Sequence, residues 1–168
     1  MSAGARAGQR SPAAVDAAKA RLTGAGLRPT RQRLALAGLL FRGRSRHVAA
    51  ESLHGESQVA GITVSLATVY NTLNQFTAAG LLKEVAVDSG RSLFDTNTAP
   101  HHHFFYPETG TLHDFPADSV VVTGLPRPPH GRQVAAVEIV VRLAAASGAT
   151  SGVTARRGEA KAGRRKDF

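Results

Sequence analysis

The sequence predicts an α+β fold in which helices come first and strands follow. Three observations carry that prediction. Apolar residues recur at helical spacing as far as Phe76, most clearly at Leu66, Val69, Leu73 and Phe76. After Gly80 the period drops to two, and Leu81–Val87 and Arg91–Asp95 read as strands around the turn Asp88-Ser89-Gly90. Beyond Asp95 come short strand-like runs, prolines and a histidine triplet, with no long helical pattern. The expected division is a tail at 1–14, a helical unit with a terminal hairpin at 15–96, a small α/β unit at 97–143, and a basic tail at 144–168.

The elements follow in order. Residues 1–14 are rich in Gly, Ala, Ser and Arg, a composition that favours disorder. A helix is expected from Val15, with Val15, Ala18 and Leu22 on one face and Gly24 and Gly26 at its end. Pro29 stops that element, and Thr30 can cap a second helix carrying Leu34, Leu36, Leu39, Leu40 and Phe41. Ala49–Val59 reads as a third helix, ended by Gly61. Ser65 then caps a fourth by accepting from the Thr68 amide. That helix turns Tyr70, Asn71 and Asn74 outward. These neutral groups have the directional donors and acceptors that base edges require, although any half-buried helix can carry a polar outer face. Two successive helices, the second with such a face, followed by a hairpin, make a winged helix-turn-helix candidate.

Charge supports this division. The chain carries +9 overall, and residues 17–46 hold eight basic side chains and no acidic one. A basic helix entry beside a polar reading helix can grip phosphate oxygens. There is no cysteine, which excludes disulfides and thiolate metal sites. No apolar run approaches the roughly 20 residues of a membrane span, and the N-terminus lacks an apolar signal region. A cytoplasmic protein without a membrane partner is the expectation.

In the second unit, His101–Tyr106 and Thr111–Phe115 read as strands flanking Pro107-Glu108-Thr109-Gly110. Pro126, Pro128 and Pro129 keep any helix after Asp118 short. Val134–Leu143 alternates and reads as a half-buried strand of roughly 10 residues. Such a thin core suits a symmetric dimer better than a lone chain.

The histidines concentrate the chemistry. On a strand, His101 and His103 share a face while His102 points away. Asp95 precedes them and Asp114 follows, and His47 stands before the third helix. Imidazoles and carboxylates without thiolate suit ferrous iron, manganese or zinc. A histidine triplet that merely ends a polar strand is the alternative. His54, His113 and His130 read as ordinary surface or packing residues.

Taken together, Gly26-Leu27-Arg28-Pro29-Thr30-Arg31-Gln32-Arg33, His47-Val48-Ala49-Ala50-Glu51, Ser65-Leu66-Ala67-Thr68-Val69-Tyr70, Leu73-Asn74-Gln75-Phe76 and Phe94-Asp95 before the histidines resemble the ferric uptake regulator family. Ser65–Gln75 and the consecutive histidines look closest to its iron-response regulator subgroup. The resemblance implies a homodimeric, metal-responsive regulator, with a winged-helix domain followed by an α/β dimerisation domain, repressing iron-homeostasis genes at a double-stranded DNA operator. By position it implies metal ligands His47, Asp95, His101, His103 and Asp114, with Fe2+ or Mn2+ ahead of Zn2+. Its implied DNA contacts are Arg28, Arg31, Arg33, Thr68, Tyr70 and Asn71. It also associates haem with His101, His102 and His103. Two departures stand out. Tyr106 and Thr109 occupy positions where most members place the first pair of cysteines, so no four-cysteine structural zinc is expected. Haem, if bound, must use histidine.

Under this reading, a cation joining His47 to the second unit would bias a hinge near the wing and so set the spacing of two reading helices. A small non-haem metalloenzyme using the same His/Asp cluster is the alternative. The sequence shows no nucleophile–base pair and no Gly-rich phosphate loop, so no enzymatic activity is expected.

Overall fold

In the computed structural model, which describes residues 12–88 and 90–145, four helices pack beside one three-stranded sheet and a second three-stranded sheet follows. The helices are α1 (Pro12–Gly24), α2 (Arg31–Leu40), α3 (Ala50–Val59) and α4 (Leu66–Ala78). The first sheet holds β1 (His47–Val48), β2 (Lys83–Asp88) and β3 (Arg91–Asp95) in the order β1-β3-β2, all antiparallel. The second holds β4 (His101–Tyr106), β5 (Thr111–Pro116) and β6 (Val140–Arg142) in the order β5-β4-β6.

The helix starts obey the capping chemistry read from the sequence. Thr30 Oγ1 accepts from the Arg33 amide at 3.4 Å, and Ser65 Oγ accepts from the Thr68 amide at 3.1 Å. On α4, Val69, Leu73 and Phe76 are fully buried. They join Leu22, Leu36, Leu40, Leu53, Leu82 and Phe94 in one apolar cluster that fixes α4 against the other helices. α1 starts at Pro12 rather than Val15, because proline is tolerated in a first helical turn, where its missing N–H would be unpaired anyway. Residues 12–14 therefore leave the expected tail. The expected disorder of 1–11 and of 146–168 lies outside the described residues.

Two strands differ from expectation. β1 has only two residues, too short for an alternating pattern, yet its register sets His47 opposite Asp95. The ten-residue strand expected at 134–143 shrinks to β6. β6 runs parallel to β4 with Val140 opposite His103, so residues before 138 would fall opposite the loop ahead of β4 and find no ladder. Val134 and Val137 are accordingly exposed.

The hairpin β2–β3 is shared between two cores. Its flanking Leu82 and its Phe94 join the helical cluster, whereas Val85, Val87 and Leu93 pack with Phe105 and Leu112 of the second sheet. Arg142 adds a polar fastening. Its guanidinium donates to the Val87 carbonyl, lies 3.1 Å from Asp88 Oδ1 and sits 5.0 Å from the centre of the Phe105 ring. A hinge movement at this hairpin would have to open this contact.

Candidate metal centre

Both sheets contribute a cross-strand pair to one point. In the first, β1 and β3 set His47 opposite Asp95; in the second, β4 and β5 set His103 opposite Asp114. His101, two residues before His103, shares its face. One donor atom from each of these five residues lies within 4.8 Å of all the others. All five metal ligands expected from the sequence are brought together.

His101 Nε2 stands 2.8 Å from Asp95 Oδ2 and 2.8 Å from His103 Nε2. His47 Nε2 is 2.9 Å from Asp114 Oδ1 and 3.6 Å from Asp95 Oδ2. Asp95 is fully buried, with its other oxygen accepting from the Asn97 amide at 2.8 Å. Asn97 also donates its side-chain amide to Asp114 at 3.0 Å, so one residue orients both carboxylates.

The electrostatics follow from burial opposed by neighbours. Burial alone would raise the Asp95 pKa, but hydrogen bonds from His103, His47 and the Asn97 amide outweigh it and hold the group well below the ordinary carboxylate range. Burial would lower the His47 pKa, yet the Asp95 and Asp114 carboxylates overcome that effect and raise it.

The hydrogen-bond pattern tests whether a cation fits. His101 Nδ1 lies 2.8 Å from the Ala99 carbonyl, which can only accept, so Nδ1 carries a proton. Its Nε2 faces a buried carboxylate oxygen and another imidazole nitrogen. His103 Nδ1 is buried without a hydrogen-bond partner. A buried Asp95 carboxylate crowded by imidazole nitrogens is costly unless positive charge lies among them. Three imidazoles and two carboxylates form a donor set suited to manganese, iron or zinc, and a ring N–H held by a carbonyl is the usual support of a metal-bound histidine.

His102 is not part of this group. It points to the opposite face, 6% exposed, with its ring 5.5 Å from that of Phe115. The three histidines associated with haem are therefore divided, two in the cluster and one beneath an aromatic ring. Tyr106 packs against His113, and Thr109 Oγ1 pairs with Thr111 Oγ1 at 2.7 Å, so hydroxyl and ring contacts fill the turn where the resemblance places cysteines in other members.

The expected DNA contacts lie on another face. Arg28, Arg31 and Asn71 are exposed, and Thr68 lines a polar cleft with Thr30, Gln32, Arg33, Asn71 and Gln75. Tyr70 is 40% exposed, and its hydroxyl donates to Glu51 at 2.5 Å. This contact pulls the Glu51 pKa down and the Tyr70 pKa up. Arg33 is turned back onto Gln75. Gln75 and Glu51 were not among the expected contacts. Gln75 sits four residues after Asn71 on the polar face, which is a legible signal, whereas Glu51 is nineteen positions from Tyr70 and leaves none.

The profile of the ferric uptake regulator family matches residues 24–141. The chain belongs to that family. A ferric uptake regulation protein of Pseudomonas aeruginosa is 37% identical over 92 residues, covering 54% of this chain and 69% of that one. One from Legionella pneumophila is 35% identical over 95 residues, 56% of this chain and 70% of the other. Among solved structures, the ferric uptake regulator of Pseudomonas aeruginosa with manganese superposes with a TM-score of 0.60 at 28% identity, covering 75% of this chain and 96% of that one. The Vibrio cholerae regulator, described as showing rearranged DNA-binding domains, gives 0.59 at 25% identity over 74% and 96%. The family's mixed α+β architecture and this chain's agree. No helix among the described residues is long and apolar enough to cross a membrane.

Proposed function

We propose that this chain is a metal-responsive, DNA-binding transcriptional regulator of iron-homeostasis genes, acting as a homodimeric repressor with residues 15–96 as the DNA-binding domain and 97–143 as the dimerisation domain. The observation that carries the reading is the convergence of five imidazole and carboxylate donors from both sheets, with His101 Nε2 2.8 Å from the buried Asp95 carboxylate. His47 and Asp95 would hold the cation from the first sheet, and His101, His103 and Asp114 from the second. A bound Fe2+ or Mn2+ would balance the charge of the buried Asp95 and the more exposed Asp114 amid three imidazoles; Zn2+ suits the same donors.

On the DNA side, α4 carries Thr68, Tyr70 and Asn71 towards a groove, while Arg28 and Arg31 reach phosphate from the α2 entry. The subgroup reading, iron-response regulator, is supported by Ser65–Gln75 and the histidine triplet. Haem on His101 or His103 would compete with the cluster, and His102 lies covered, so the geometry favours a bare cation. The metalloenzyme alternative has no comparable support, since His101, His103 and Asp95 are at most 6% exposed and offer a substrate little access.

Fluorescence anisotropy with labelled duplexes tests the proposal. Wild-type protein should bind a preferred duplex about 5- to 100-fold more tightly, or more weakly, with metal than without, a coupling of about 1–3 kcal/mol. His47→Ala should abolish that difference while preserving helical content. An undiminished metal response in the variant would reject the mechanism.

A further inference from the structure

We propose that Arg33 is a positioning residue that fixes α4 against α2, and not a side chain that grips phosphate. The inference rests on the reading of α4 as the DNA-contacting helix, and it separates Arg33 from Arg28 and Arg31, with which its position in the sequence groups it. Its guanidinium donates from Nε at 3.1 Å and from Nη2 at 2.8 Å to Gln75 Oε1, on the far half of α4. Nη1 donates at 2.9 Å to the carbonyl of Arg28. Three of the five guanidinium N–H donors are thus committed to protein acceptors. The base of the side chain is anchored as well, because the Arg33 amide is the one that Thr30 caps.

One cation therefore ties together the loop that presents Arg28, the first turn of α2 and the polar face of α4. The apolar face of α4, built on Val69, Leu73 and Phe76, sets how deeply the helix sits. Apolar packing is non-directional and leaves small rolls about the helix axis inexpensive. A two-donor contact onto one amide oxygen is directional, and it fixes the roll that decides where Thr68 and Asn71 point. Lysine, a point charge without a planar fork, cannot reproduce it.

The test is a salt series of anisotropy titrations on manganese(II)-loaded, full-length protein, using a duplex that the wild-type protein selects from a random-sequence pool. Arg33→Met and Gln75→Leu should each weaken binding by a similar factor, roughly three- to tenfold, as expected for loss of one hydrogen-bonded contact. The double variant should be no weaker than either single one. Neither should change the slope of log affinity against log salt, whereas Arg31→Met should reduce it by about 0.9. A slope reduced by about 0.9 in Arg33→Met, with Gln75→Leu silent, would overturn the proposal. Amide hydrogen exchange on the DNA-free protein gives a second readout: residues 73–78 should exchange faster in both single variants, and unchanged exchange in both would also overturn it. If wild-type protein selects no duplex, the DNA-binding reading fails and exchange alone decides the role of Arg33. If Arg33→Met does not fold, Gln75→Leu, at an exposed and uncharged position, carries the test.

Discussion

The cluster beneath the helices and the cluster beneath the second sheet are built from different materials. Among the described residues, the first buries thirteen apolar side chains from all four helices and the adjoining strands. The second buries five, of which Val85, Val87 and Leu93 are lent by the β2–β3 hairpin. Beside those five lie the buried polar residues Asp95, His101, His102 and His103. A core of the first kind is stable through burial alone, at roughly 25 cal/mol per Å² of apolar surface. A core of the second kind carries charges and lone pairs that burial penalises. The helical cluster is thus held by apolar burial, while the second carries at its edge a polar group to which both sheets contribute.

That contrast can be broken by substitution. Phe76→Ala, at the centre of the helical cluster, should cost about 3–5 kcal/mol in urea unfolding. The cost should be the same with and without metal, because Phe76 is packed among apolar side chains and is not one of the five clustered donors. A metal-dependent cost would show that the two halves are not separable in this way.

Metal removal sharpens the same comparison from the other side. At free metal one hundred times the dissociation constant, binding should stabilise the fold by about 2.7 kcal/mol. Hydrogen exchange should report the loss on chelation in β4 and β5, with α4 little affected. The gain should grow as pH rises through the raised His47 value, since a protonated His47 must release its proton to ligate. In metal-free protein the sign reverses. There, protonated His47 is stabilised by Asp95 and Asp114, a contribution present below its ordinary value of 6.5 and lost as pH rises through the raised one. Urea titrations across this range, with and without chelator, check both signs.

The smallest expected effect is at the α4 cap. Ser65→Ala removes the acceptor for the Thr68 amide and should cost about 1 kcal/mol. Thermal unfolding should show this modest loss with metal affinity unchanged. A changed metal affinity would mean that the helical cluster and the candidate metal centre share more than the β2–β3 hairpin.

Much of this organisation was legible in the residues themselves, and the failures have physical reasons. Thr30 and Ser65 announced their helices because a cap is a local interaction. Leu66, Val69, Leu73 and Phe76 gave the buried face of α4 because helical spacing is a local property too. His101 and His103 were placed together by strand alternation, although only the fold brings His47 to them. β1 left no pattern, since two residues cannot alternate. Val134–Leu143 did alternate, but a ladder also needs a partner, and β4 begins opposite residue 138. The pairs Arg33–Gln75, Tyr70–Glu51 and Arg142–Asp88 are long-range side-chain choices, which no local spacing encodes.

The central claim is that one cation is held from both sheets at once. Electron spin-echo envelope modulation on manganese(II)-loaded protein counts coordinated imidazole nitrogens directly. The account predicts three in the wild-type protein and two in His47→Ala, with His101 and His103 retained. An equal count in the two proteins would contradict it, because His47 would then stand outside the shell and the first sheet would lose its histidine hold on the metal.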